Sequence, residues 1–140
     1  MSDTSPGADT GSDTPAHDGV AQFLAQTAFD PGEILATFGG DQQMAVMVTQ
    51  SICEDIPNYL ADISHALGQG EKEAGLRALH TLKGLAKQAG VYDLANLVEH
   101  WEIQWKTRDQ PPLLDQLQVV YAHLGSLIQG WLSQQTLGSV

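Results

Sequence analysis

Residues 112–134 read PLLDQLQVVYAHLGSLIQGWLSQ, and Leu114, Leu117, Tyr121, Leu124, Ile128 and Trp131 recur along them at steps of three and four. That spacing lays the apolar side chains along one stripe of an α-helix. Upstream, residues 91–108 and 71–89 form two further helical segments. In residues 42–68 the apolar positions Met44, Val48, Ile52, Ile56, Tyr59, Ile63 and Leu67 mark one face of a long helix. Pro57 lies inside that helix and is expected to kink it, because proline lacks an N–H and clashes with the preceding turn. Gly68 and Gly70 stop it. Asp30-Pro31-Gly32-Glu33 reads as a helix start, with Asp as N-cap, Pro first and Glu third. Gly39-Gly40 ends that short helix and Asp41 caps the next. Val20, Phe23, Leu24 and Ala28 place one more short helix before Phe29. No segment alternates in the manner of a strand. The expected fold is all-α: an antiparallel four-helix bundle with one or two short N-terminal helices.

The chain has 140 residues, a length that suits one domain. Residues 1–19 are expected to be a disordered acidic tail, 20–136 the bundle and 137–140 a C-terminal tail. A single cysteine, Cys53, excludes a disulfide-built scaffold. Its surroundings carry no motif, and a buried, inert thiol is expected. No apolar stretch approaches the roughly 18 residues of a membrane helix. The N-terminus shows neither a basic leader nor an apolar run, so the expected location is cytoplasmic. Net charge is −11. Residues 1–71 carry eleven acids and no Lys or Arg, whereas 72–140 carry six of each sign. An acidic surface argues against nucleic acid and against anionic membrane. Yet Lys72, Arg77, Lys83 and Lys87 crowd into sixteen positions.

That cluster falls in residues 71–90, EKEAGLRALHTLKGLAKQAG. Leu79, Leu82, Ala86 and Ala89 follow helical spacing toward the core. Arg77, His80, Lys83, Gly84 and Lys87 fall on the opposite face, placing a histidine among three cations on the wet side of a helix. A glycine inside an exposed helix costs about 1 kcal/mol relative to alanine. A steric reason for Gly84 is that a bare backbone lets another molecule approach the imidazole closely. The cations would attract an anion and disfavour the imidazolium, leaving a neutral nucleophile. Such a group suits acceptance and return of a phosphoryl group. The plainer reading of the same pattern is a solvated helix face.

His80-Thr81-Leu82-Lys83-Gly84, followed by Gly90, Leu94, Leu97 and Trp101-Glu102, resembles the motif of histidine phosphotransfer (HPt) domains. That family's pattern runs His-x-Leu-Lys-Gly, a second glycine six residues on, spaced leucines and a closing Leu-Glu pair. Phe29-Asp30, the Gly39-Gly40-Asp41 turn, the proline-containing helix and the glycine-bounded loop extend the likeness across roughly residues 29–132. The resemblance implies a four-helix bundle that shuttles a phosphoryl group between receiver-domain phospho-aspartates in a phosphorelay. By the same resemblance His80 is the phospho-acceptor, Lys83 stabilises the phosphoryl oxygens and Gly84 leaves room for the receiver. Gly90 closes the helix and Glu102 matches the terminal acid. Arg77, Thr81 and Lys87, beside His80, complete the expected docking surface. Expected partners are response-regulator receiver domains and a hybrid sensor kinase, met by a monomer. No cofactor is expected, since the Mg²⁺ of the reaction belongs to the receiver, and no ATP-dependent kinase activity is implied. Leu85-Ala86, Lys87 and Trp101 depart from the family's usual residues, which bears on which receivers dock.

The competing reading is an HPt-like bundle that binds and regulates without phosphorylation. A third is a metal-binding bundle. His17, His65, His100 and His123 lack a partner at the four-residue spacing of paired helical ligands. Trp101, Trp105 and Trp131 are expected in the core.

Overall fold

A computed structural model describes residues 15–138, with side-chain burial for residues 19–135. Its helices are α1 (Pro15–Gln26), α2 (Pro31–Thr37), α3 (Gln42–Gln69), α4 (Lys72–Gln88), α5 (Tyr92–Arg108) and α6 (Leu114–Gly138). No strand occurs among the described residues.

The turns form as their residues dictate. Asp30 caps α2 by accepting a hydrogen bond from the Gly32 N–H at 2.9 Å, and Pro31 follows where its missing N–H costs nothing. Asp41 caps α3, accepting from the Met44 N–H at 3.1 Å. Gly70 (φ 69°) and Gly90 (φ 77°) take the left-handed conformation that ends α3 and follows α4. These short connections reverse the chain, so α3 packs on α4, α4 on α5 and α3 on α6. A hydrogen bond from the Gln42 amide to Gln135 ties the start of α3 to the end of α6. Helix α1 packs against both α5 and α6, with Phe23 buried and edge-on to His123 of α6.

At both ends of the described residues the helices run beyond the bundle bounds expected from the sequence. Helix α1 begins at Pro15, inside the stretch 1–19 read as tail, because proline fits a first turn and Phe23 anchors the helix that follows. Residues 1–14, the rest of that tail, lie outside the described residues. Helix α6 continues to Gly138, into the stretch 137–140 read as tail, since nothing from Gln134 to Leu137 breaks a helix. Residues 139–140 lie outside the description.

The core is aliphatic, with Ile52, Ile56 and Ile63 of α3, Leu79 and Leu82 of α4, Leu94 and Val98 of α5, and Leu117, Leu124 and Ile128 of α6. All three tryptophans are buried in it. The buried stripe of α3 is shifted from the expected one. Met44 is 42% exposed, and Ala45 and Thr49 face inward instead. Thr49 is tolerated there because its hydroxyl donates to the Ala45 and Val46 carbonyls. Helix α3 runs unbroken through Pro57. Tyr121 is buried and donates to the Leu82 carbonyl at 2.5 Å; burial pushes its phenol far above the ordinary value. Cys53 is half-buried, and burial raises its thiol pKa, outweighing the opposing Gln129 contact.

Gly75 of α4 packs against the distal edge of the Trp105 indole, where a Cβ would stand 2.2 Å from the nearest ring carbon. Gly75→Ala is therefore expected to destabilise the bundle by about 1–3 kcal/mol despite alanine's better helix propensity. Urea unfolding measures this. An unchanged midpoint would mean that the indole moves aside without cost.

Candidate functional site

His80 sits in mid-α4 with its side chain 68% exposed. Opposite it on α5, Val98, Trp101, Glu102 and Trp105 form the buried stripe, so Glu102 is an acid set within an apolar row. Its side chain is only 8% exposed, and its Oε2 lies 3.1 Å from His80 Nδ1. The other oxygen, Oε1, lies 2.8 Å from the Lys83 ammonium. Lys83, one turn beyond His80, also approaches Glu99 at 3.8 Å. These contacts correct the picture of three solvated cations around the imidazole. The Lys83 side chain is 12% exposed and turned toward α5, because a carboxylate buried there needs a counter-charge.

Burial opposes ionisation of Glu102, but the hydrogen bonds and charges of Lys83 and His80 outweigh it and hold the carboxyl below its usual range. An ionised carboxylate only accepts hydrogen bonds, so the proton of the His80 contact sits on Nδ1. In the neutral form of a ring protonated there, Nε2 carries the lone pair. The stability from this contact follows the depressed pKa. It is complete above the unfolded carboxyl pKa of about 4.3 and is lost as pH falls through the lower folded value. Wild type and Glu102→Gln should thus differ in unfolding free energy at pH 6 and converge in strong acid. A gap independent of pH would show that the charge of Glu102 adds no stability.

The remaining expected residues divide into two sets. Arg77, His80 and Thr81 share one open depression with Leu76, Glu102 and Lys106. Thr81 donates its hydroxyl to the Arg77 carbonyl at 3.1 Å. Gly84 is exposed, and a Cβ built on it meets nothing within 4 Å, so its bare backbone faces open space on the histidine's side of α4. Lys87 is exposed but lies outside the depression. Gly90 is in the α4–α5 turn, where a Cβ would stand 2.8 Å from Glu33 Cβ. Arg77 and Thr81 also form one wall of a second groove, toward α3, with Tyr59, Asp62 and His65.

Sequence reading gave Glu102 no part beside the histidine and passed over Lys106. The available signal was the acid within an apolar stripe, with a lysine one turn further on. Their distance from His80 along the chain hid both. Among the described residues no group of three or more His, Cys, Asp or Glu is placed to hold a metal ion. His123 packs edge-on against Phe23, with ring centroids 5.5 Å apart, and the His17 side chain lies outside the description. No helix among the described residues is long and apolar enough to cross a membrane.

The arrangement is a largely exposed imidazole whose Nδ1 is in contact with a buried carboxylate, which leaves Nε2 outside that contact. Residues 48–130 match the family model of the Hpt domain, more than half of the chain. No match was found among curated proteins or among solved structures.

Proposed function

The chain belongs to the Hpt domain family, whose members serve histidine phosphotransfer in phosphorelays, and on that premise we propose that His80 is its phosphoryl carrier. Nε2 attacks the phosphorus of a receiver's aspartyl phosphate. The Nε2–P bond forms as the P–O bond to the aspartate breaks, and the aspartate leaves as a carboxylate. Nδ1 keeps its proton, so the ring becomes cationic, and the Glu102 carboxylate balances that charge. Return of the phosphoryl group to a second receiver reverses these steps, with neutral imidazole as the leaving group. Glu102 is a positioning residue in this scheme and Lys83 holds Glu102. Gly84 leaves space for the receiver, while Arg77, Thr81 and Lys87 form its docking rim.

The observation that carries this reading is the contact of Glu102 with Nδ1 of an imidazole whose side chain is 68% exposed. Its partners in this reading are the receiver domains of response regulators and a hybrid sensor kinase, between which the phosphoryl group passes. Mg²⁺ is supplied by the receiver, and the protein acts as a monomeric, cytoplasmic phosphocarrier without ATP-dependent kinase activity.

The test is transfer from a panel of ³²P-labelled phospho-receivers to the full chain. Label that is acid-labile and persists in alkali would identify a phosphohistidine. A receiver that binds tightly and transfers nothing would replace this reading with that of a non-phosphorylating binding module.

A further inference from the structure

The phosphorylated imidazole needs cations at its oxygens, and the lysine of the motif is already engaged. Lys83 is largely buried, with its ammonium against Glu102 and within 3.8 Å of Glu99. A second anion would have to compete with both carboxylates for it. Lys72 is paired with Asp109. Arg77, Lys87, Lys106 and Arg108 are exposed and pair with no carboxylate among the described residues. Of these four, only Arg77 and Lys106 line the depression that holds His80. Arg77 precedes His80 by one turn of α4, and Lys106 follows Glu102 by one turn of α5. The two cations therefore border the depression around the imidazole from different helices, and a guanidinium can hold two phosphoryl oxygens at once.

We infer that Arg77 and Lys106 form the anion site that receives the phosphoryl oxygens on His80, while Lys83 serves to fix Glu102. The inference rests on the phosphocarrier reading of His80. It assigns the family lysine a supporting part and gives the phosphoryl contact to two residues outside the His-x-Leu-Lys-Gly run.

Phosphoramidate provides a test without any receiver. Its phosphoryl group passes to Nε2 as the Nε2–P bond forms, and ammonia departs with the electrons of the broken N–P bond. The full chain and the variants Arg77→Gln, Lys106→Gln, the double replacement and Lys83→Gln are each charged in this way. ³¹P NMR then follows protonation of the phosphohistidine as pH is varied. Cations beside the dianion favour its deprotonated form, so each single replacement should raise the titration midpoint. The double replacement should lower the dianion-to-monoanion ratio near the midpoint by about 3- to 10-fold, and by less in high salt. Lys83→Gln should move it less than either single replacement. A double variant that titrates with wild type, or a larger displacement in Lys83→Gln than in the double variant, would overturn the assignment. Failure of the wild-type chain to acquire any phosphohistidine would instead remove the phosphocarrier reading beneath it.

Discussion

His80→Gln is expected to abolish phosphoryl acceptance, lowering transfer from a competent phospho-receiver by more than about 10³-fold. Glutamine carries no nucleophilic nitrogen, because its amide lone pair is delocalised into the carbonyl. Nothing else in the depression replaces it: Arg77 and Lys106 are cations, and the Thr81 hydroxyl donates to the Arg77 carbonyl. The fold should survive, since the His80 side chain is 68% exposed. Its loss should change unfolding free energy by no more than about 0.5 kcal/mol. Receiver binding should also persist, because the depression around position 80 keeps its other walls. Label retained on the variant would move the phosphorylation site elsewhere. Loss of label together with loss of the helical signal would show that His80 supports the bundle.

The second large effect is expected at Glu102, on stability and on transfer together. Glu102→Ala removes the partner of a mostly buried ammonium and the acceptor of the imidazole proton. Lys83 retains only the longer Glu99 contact, so about 1–3 kcal/mol of stability should be lost. The imidazole is then free to rotate and to exchange tautomers, which should slow transfer by about 10- to 100-fold. Glu102→Gln separates the contributions. Its carbonyl can still accept from Nδ1–H, but a neutral amide cannot balance both Lys83 and a phosphorylated ring. Transfer should therefore recover more fully in Glu102→Gln than the charge of the pair does. Equal transfer rates in wild type and Glu102→Ala would remove Glu102 from the positioning role.

Much of this is legible in the amino-acid sequence. The stripe Leu114, Leu117, Tyr121, Leu124, Ile128 and Trp131 is a local pattern, and local spacing decides which face of a helix is apolar. Asp30, Asp41, Gly70 and Gly90 stand at boundaries because caps and left-handed turns depend on a few neighbouring residues. The errors were small displacements of the same kind. Met44 fits the apolar period of α3, but the packed helix leaves it exposed and turns Ala45 and Thr49 inward. At Pro15 a first-turn proline extended a helix into a stretch whose composition resembled a tail.

The site divides along the same line. His80, Gly84 and the nearby cations lie on one helix, so their shared placement on the histidine's side follows from a period of 3.6 residues, and the motif they form is local. The sequence by itself therefore determined an all-α bundle, a candidate nucleophile and the steric opening beside it. The inward turn of Lys83, the contact of Glu102 with Nδ1 and the sharing of one depression by Lys106 and Arg77 required α5 to be laid against α4 in a definite register. Charges 22 residues apart carry no mutual signal in the chain, and they interact only when packing brings them within a few ångströms in a poorly solvated seam. Only the tertiary structure could decide which cation is paired with a carboxylate and which is not.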